Sequence, residues 1–188
     1  AAWKKNQGSR DVFVAVIDGG IDYRHEDLTG NVGNPAELFG EPGVDDDGNG
    51  YIDDIYGWNF INGTNQIEAD DHGTHVAGTI GAENNNGVGV CGIAGGHGGN
   101  TGVWLLSCQL FGTIDGREVS ASFPEMIKYA ADAGAVIAQN SWGYENITYL
   151  PRADQAAIDY IIQYEGVDER GEQTWPMKGE VDIFAAGN

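Results

Sequence analysis

Four predominantly apolar stretches punctuate this chain, at 12–17, 103–110, 135–139 and 181–185. Runs that are apolar at consecutive positions, not at every second one, predict strands covered on both faces, as in a parallel sheet. The first run is closed by Asp18, Gly19 and Gly20. Between the runs the spacing turns helical. Ser122, Phe123, Pro124 and Glu125 read as a capping box with proline in the first turn. Met126, Ile127, Ala130 and Ala131 continue an apolar face to about Asp132, and Gly134 ends that helix. A second helix is expected over 152–164, where Ala157, Ile158, Ile161 and Ile162 form a stripe and Gly166 stops it. A third is expected to begin at His72. Strands alternating with helices predict an α/β fold: an open, mostly parallel, doubly wound sheet with helices on both faces. Ligands of such sheets bind at the carboxyl ends of the strands, where Asp18 falls. The long segment 31–71 is rich in Gly, Asn and Asp, and neither an internal repeat nor a domain boundary is visible.

Composition narrows the partners. The 188 residues suit one domain with a real core, and 41% apolar content is too high for a disordered chain. A formal charge of -20, with only 9 Lys and Arg, argues against nucleic acid. The sequence has no run approaching the roughly 18 apolar residues of a membrane span, and no apolar signal core opens it, so no membrane partner is expected. Cys91 and Cys108 are compatible with one bridge or with two buried thiols.

Candidate chemistry lies in two segments, VFVAVIDGGID at 12–22 and DDHGTHVAGTI at 70–80. An aspartate ending a buried strand is fixed and shielded, as a carboxylate that orients a histidine must be. In the second segment Gly73, Ala77, Gly78, Gly81 and Ala82 allow close helix packing, with His72 at the first turn. His75, three residues on, makes half a metal motif without the glutamate of a zinc peptidase, and reads as structural.

Asp18 in AVIDGGID, His25 in HEDL, His72 in HGTHVAG, Ser141-Trp142-Gly143 and the terminal AAGN occur together and in order. This set resembles the subtilisin-like serine peptidases, the subtilases, through almost the whole chain. The resemblance implies that Asp18 orients the imidazole, that His72 is general base and acid, and that the side-chain amide of Asn188 donates to the oxyanion. It further implies that Ser141, Trp142 and Gly143 form a substrate-binding strand and a pocket wall. Gly116 and Glu118 would lie on the facing edge strand. The substrate would be a peptide or protein, and the location secreted or cell-surface.

The nucleophile is not recognisable. Ser107, Ser122 and Ser141 are accounted for by strand, cap and binding strand, and neither Ser9 nor Ser120 sits in a strand-to-helix elbow. The expectation is therefore the N-terminal portion of a single catalytic domain, 1–188, ending before the nucleophile helix. The remainder would be supplied downstream or by a second chain. An inactive, subtilase-like peptide-binding module is the alternative.

Asp45, Asp47, Asn49, Tyr51 (through its carbonyl) and Asp53 place oxygen donors at the alternate positions of an EF-hand loop, with glycine at the sixth position. A structural calcium ion is expected there, its last carboxylate drawn from Asp54 or Glu41, because position twelve is Tyr56. A solvated acidic loop is the other reading. The family's second calcium loop would be 83–90, whose short Asn-rich form matches poorly. Asp70 and Asp71, beside His72, suggest a preference for basic residues near the scissile bond.

Overall fold

The computed structural model describes residues 2–144, 148–164 and 180–186. Its strands, in chain order, are β1 (Phe13–Asp18), β2 (Gly57–Asn59), β3 (Trp104–Gln109), β4 (Phe111–Ile114), β5 (Arg117–Ser120), β6 (Ile137–Asn140) and β7 (Val181–Phe184). Its α-helices are α1 (Pro35–Leu38), α2 (Asp71–Gly81), α3 (Phe123–Asp132) and α4 (Arg152–Tyr164). Five strands form one sheet in the order β2-β3-β1-β6-β7, with every pairing parallel. The mostly parallel α/β architecture expected from the apolar runs is the one observed.

Strand β1 is buried at all six positions because both of its faces are covered. Phe13, Ala15 and Ile17 pack with Leu106, Cys108 and Ala138 under α3 and α4, joined by Met126, Ile127 and Ile161. Val14 and Val16 face the other way and meet Leu105, Val32 and Ala77 of α2. Each fully buried Ile or Leu side chain contributes roughly 1.5–3 kcal/mol. The chain builds outward from β1 to β3 on one side and to β6 on the other. The end of β1 is thus the switch point where such sheets open a crevice.

Several local expectations need correction. Helix α2 starts at Asp71, one residue early, because Asp70 is its N-cap and accepts from the Gly73 amide. Ser122 occupies the N-cap of α3, but its side chain makes no capping bond. Glu125, its supposed partner, instead accepts from the Tyr51 hydroxyl at 3.4 Å. The cysteines are both free, with Cys108 buried in the core and Cys91 exposed, so neither the bridge nor the pair of buried thiols holds. The segment 31–71 also contains α1 and the short β2. Outside the main sheet, β4 and β5 form an antiparallel hairpin. Its turn uses Asp115 (φ 51) and Gly116 (φ 74), the positive-φ pair of a type I′ turn. No helix among the described residues is long and apolar enough to cross a membrane.

Candidate active site

Asp18 ends β1 and is only 3% exposed, and His72 lies in the first turn of α2. Glycine makes their meeting possible. A Cβ on Gly73 would lie 2.4 Å from the Gly20 carbonyl oxygen, and one on Gly19 would lie 2.6 Å from the carboxyl carbon of Asp70. The start of α2 therefore sits backbone against backbone on the turn that follows β1. The Thr74 hydroxyl accepts from the Asp22 amide at 2.9 Å, and the Ser107 hydroxyl accepts from the Ile21 amide at 3.1 Å. These contacts fix the turn to both α2 and β3.

Nδ1 of His72 lies 2.9 Å and 3.0 Å from the two carboxylate oxygens of Asp18. A carboxylate only accepts, so the contact selects the tautomer with its proton on Nδ1 and leaves Nε2 basic. The Gly19 amide donates to Asp18 at 2.8 Å, holding the carboxylate in place. The hydrogen bond to Asp18, and next the Asp18 charge, raise the His72 pKa above its usual 6.5 against the opposing effect of desolvation. The His72 side chain remains 62% exposed, so its ring is open to a reactant. A buried acid orienting an accessible imidazole is a proton-transfer pair.

Beside the pair opens a cleft of about 450 Å³, bounded by Glu68, Asp70, Gln109, Phe111, Gly112 and Glu118. Glu118, on β5, lines it. Gly116 does not; it makes the hairpin turn. Ser141, Trp142 and Gly143 follow β6. The Trp142 ring meets Phe111 at the base of the hairpin with centroids 5.8 Å apart, and meets Phe123 at 5.2 Å. The hairpin and the 141–143 segment are thus neighbours at the carboxyl end of the sheet. The Ser141 hydroxyl accepts from Gln139 at 3.0 Å. No serine among the described residues lines the cleft. Asn188 lies outside the described residues. His25 is exposed on the loop after β1, and its Nδ1 accepts from the Asp27 amide. His75 is exposed as well, and so is not a packed core residue.

A second constellation lies away from the cleft. Carboxylate oxygens of Glu37, Asp47 and Asp54 come within 4.8 Å of one another. Only Asp47 of these belongs to the ligand set expected from the loop. Asp45 spends its carboxylate on the amides of Gly48, Asn49 and Gly50, and Asp53 accepts from the Gly43 amide. Asn49 bridges instead, donating to Asp47 and Asp54 at 3.1 Å each, while the Tyr51 ring packs on Trp58 and Tyr129. Of the two residues considered for the last carboxylate, Asp54 is in the cluster and Glu41 is not.

Glu37 comes from α1, whose N-cap Asn34 donates to Asp47 at 2.7 Å. Burial raises the pKa of all three acids, that of Asp54 to about 6 despite hydrogen bonds from Tyr129 and Asn49. Glu37 Oε2 is buried with no hydrogen-bond partner. Carboxylate oxygens gathered without a basic side chain suit a hard cation rather than zinc. The asparagine-proline start of α1 was the available signal for Asn34; Glu37 had none, because tertiary packing brings it in.

Comparison with known proteins fits this geometry. The subtilase family signature matches residues 9–188. A Thermophilic serine proteinase from Bacillus sp. strain AK1 is 30% identical across all 188 residues, which span 35% of that protein. Subtilisin-like protease 1 of Plasmodium vivax is 52% identical over 84 residues, covering 44% of this chain and 13% of the relative. Fervidolysin from Fervidobacterium pennivorans, a keratinolytic enzyme related to subtilisin, superposes on the whole chain with a TM-score of 0.61 and 22% identity, over 22% of its own length. The chain thus spans about a third or less of each of these proteins. Matched by signature from residue 9 to its last residue, it belongs to the subtilase family of serine proteases.

Proposed function

We propose that this chain carries the acid and base of an Asp-His-Ser serine endopeptidase, as the first portion, 1–188, of one catalytic domain. Asp18 orients His72, and His72 Nε2 takes the proton of an attacking serine hydroxyl and returns it to the leaving amine. Asp18 stabilises the imidazolium formed in between. The nucleophilic serine comes from the rest of the domain, downstream or on a second chain. Asn188 supplies an oxyanion donor, which an uncharged amide does without a proton to lose. The peptide substrate lies extended between the hairpin and the 141–143 segment, gaining main-chain hydrogen bonds that do not depend on its sequence. Exposed Val181, Ile183 and Phe184 on β7, the outer strand of the sheet, support a further segment packing there.

The observation that carries this reading is the two-oxygen contact of Asp18 with His72 Nδ1. A chain extended to the full catalytic domain should be labelled covalently by a serine-directed phosphonate, and His72→Ala should abolish the labelling. A fully extended chain that takes no label would instead be an inactive peptide-binding module, the reading favoured by a cleft without serine among its described residues.

Structural calcium is the second part of the proposal, with Glu37, Asp47 and Asp54 as carboxylate ligands. Bound there, the ion would supply positive charge that the cluster lacks and would tie α1 to the loop at 45–54. Export from the cell follows the family relatives, among them a Halolysin-like extracellular serine protease of Natrialba magadii that is 32% identical over 143 residues. Acidic Glu68, Asp70 and Glu118 around the cleft support a preference for basic substrate residues. A peptide panel cleaved no faster with Lys or Arg near the scissile bond removes that preference.

A further inference from the structure

Asp70 does two things at once in this fold. Its Oδ2 accepts from the Gly73 amide at 2.8 Å, the N-cap bond of α2, so the carboxylate is held in one orientation. In that orientation one of its oxygens lies within 4.8 Å of both a His72 ring nitrogen and an Asp18 carboxylate oxygen. The missing side chain at Gly19 is what lets it come so close, since a Cβ there would overlap the Asp70 carboxyl group. The general base is therefore flanked by two carboxylates, one bonded to it and one fixed just beyond bonding range.

We propose that Asp70 is a positioning residue for the proton-transfer pair, a second fixed negative charge that favours the imidazolium of His72 while its cap bond locks the turn that carries the ring. The inference rests on the peptidase reading for its meaning in catalysis, but the electrostatic contact stands apart from it. An imidazolium forms as the nucleophile gives up its proton, so a charge that favours it lowers the barrier when the base starts neutral. The same charge keeps more of the base protonated, and idle, at acid pH. Asp70 therefore trades activity on the acid side for rate on the alkaline side. Among the described residues, the other charged or titratable groups that line the cleft with the ring are Asp18 at the end of β1, Glu68 before α2 and Glu118 on β5, and α2 itself adds Asp71 and His75. None of the described residues lining the cleft is Lys or Arg to offset Asp70.

Asp70→Asn separates the two roles, because asparagine caps helices as well as aspartate does and lacks the charge. The first experiment follows the His72 ring resonance by NMR through a pH titration of this chain. In Asp70→Asn the midpoint should fall by roughly half a pH unit, the size expected for one partly screened charge at this range. Near 1 M salt, where the screening length is about 3 Å, the gap between variant and parent should narrow. Asp71→Asn removes the neighbouring charge outside this contact and should move the midpoint less. An unchanged midpoint in Asp70→Asn overturns the inference and leaves Asp70 a helix cap. An equal shift from Asp71→Asn overturns it too, by showing only the effect of overall negative charge.

In the extended, active domain the two pH profiles should cross. On a substrate without Lys or Arg near the scissile bond, Asp70→Asn should be up to ~3-fold faster on the acid limb and slower on the plateau, with the change in kcat rather than KM. Asp70→Ala, which loses cap and charge together, should also lower the melting temperature, whereas Asp70→Asn should not. Failure of phosphonate labelling would sink the peptidase reading and leave the titration intact. Failure of the titration would sink only the role of Asp70.

Discussion

At the end of β1 a buried carboxylate meets an imidazole; beside α1 three carboxylates meet only amides and a phenol. Both places gather acids in a chain of net charge -20, yet their electrostatics diverge. Asp18 has both oxygens on a ring nitrogen that can take positive charge, with an amide in support. Asp54 has Tyr129 and Asn49, which donate but carry no charge, and burial pushes its pKa up to about 6. A buried carboxylate is cheap when its partner balances the charge and expensive when its partners only solvate it. The first arrangement is self-sufficient and suited to proton transfer. The second is short of a cation, and so is suited to bind one.

The comparison breaks most sharply at the proton-transfer pair. In the extended domain, His72→Ala or Asp18→Asn should lower kcat by about 10²–10⁴-fold or more, measured on a peptide substrate. The fold should survive His72→Ala, since that side chain is largely exposed. Next comes the acid cluster. Asp54 has a folded pKa above its ordinary 3.8, so the native state keeps a proton that the unfolded chain has released. Without calcium, stability should therefore fall as pH rises from about 4 to about 6, by at most about 3 kcal/mol. Urea melts in a chelator across that range test this. Asp54→Asn should flatten the dependence, stabilise the metal-free chain at neutral pH and remove most of the gain from added calcium. A calcium gain that survives Asp54→Asn and Glu37→Gln together would place the ion elsewhere.

Smaller effects sharpen the contrast. Gly73→Ala drives a methyl group into the Gly20 carbonyl and should cost about 1–3 kcal/mol in chemical denaturation, with a loss of activity from the displaced ring. The His72 pKa is also raised, so the contribution of that pair to stability is complete below about pH 6.5 and fades as pH rises through the folded value. Solvent around the ring keeps this the smallest of the changes. It should shrink in Asp18→Asn to the part that the Asp70 charge contributes.

The sheet was readable because its central strands are buried on both sides, which leaves continuous apolar runs in the sequence; β1, β3, β6 and β7 were each expected to within a few residues. The Asp18 and His72 pairing was readable for a related reason, since glycines flank both residues where backbones must touch. What escaped was short or tertiary. Strand β2 has three residues and follows no apolar run. The β4-β5 turn carries an Asp-Gly signal, but its strands are half polar and give no apolar run. Spacing within the 45–53 loop points to Asp47, which the structure places in the acid cluster. However, Asp45 and Asp53 satisfy local amides, and Glu37 arrives from a separate helix that spacing within one loop cannot reveal.

One feature of α2 reaches beyond the site. Its eleven residues include Gly73, Gly78 and Gly81, each roughly 1 kcal/mol poorer than alanine in a helix, and the β-branched Thr74, Val76, Thr79 and Ile80. A segment so short and so composed is not helical by itself in water. It coils only against a finished sheet, so a nascent or half-melted chain carries no assembled relay. Completion of the sheet is thus the condition for Asp18 and His72 to meet at all.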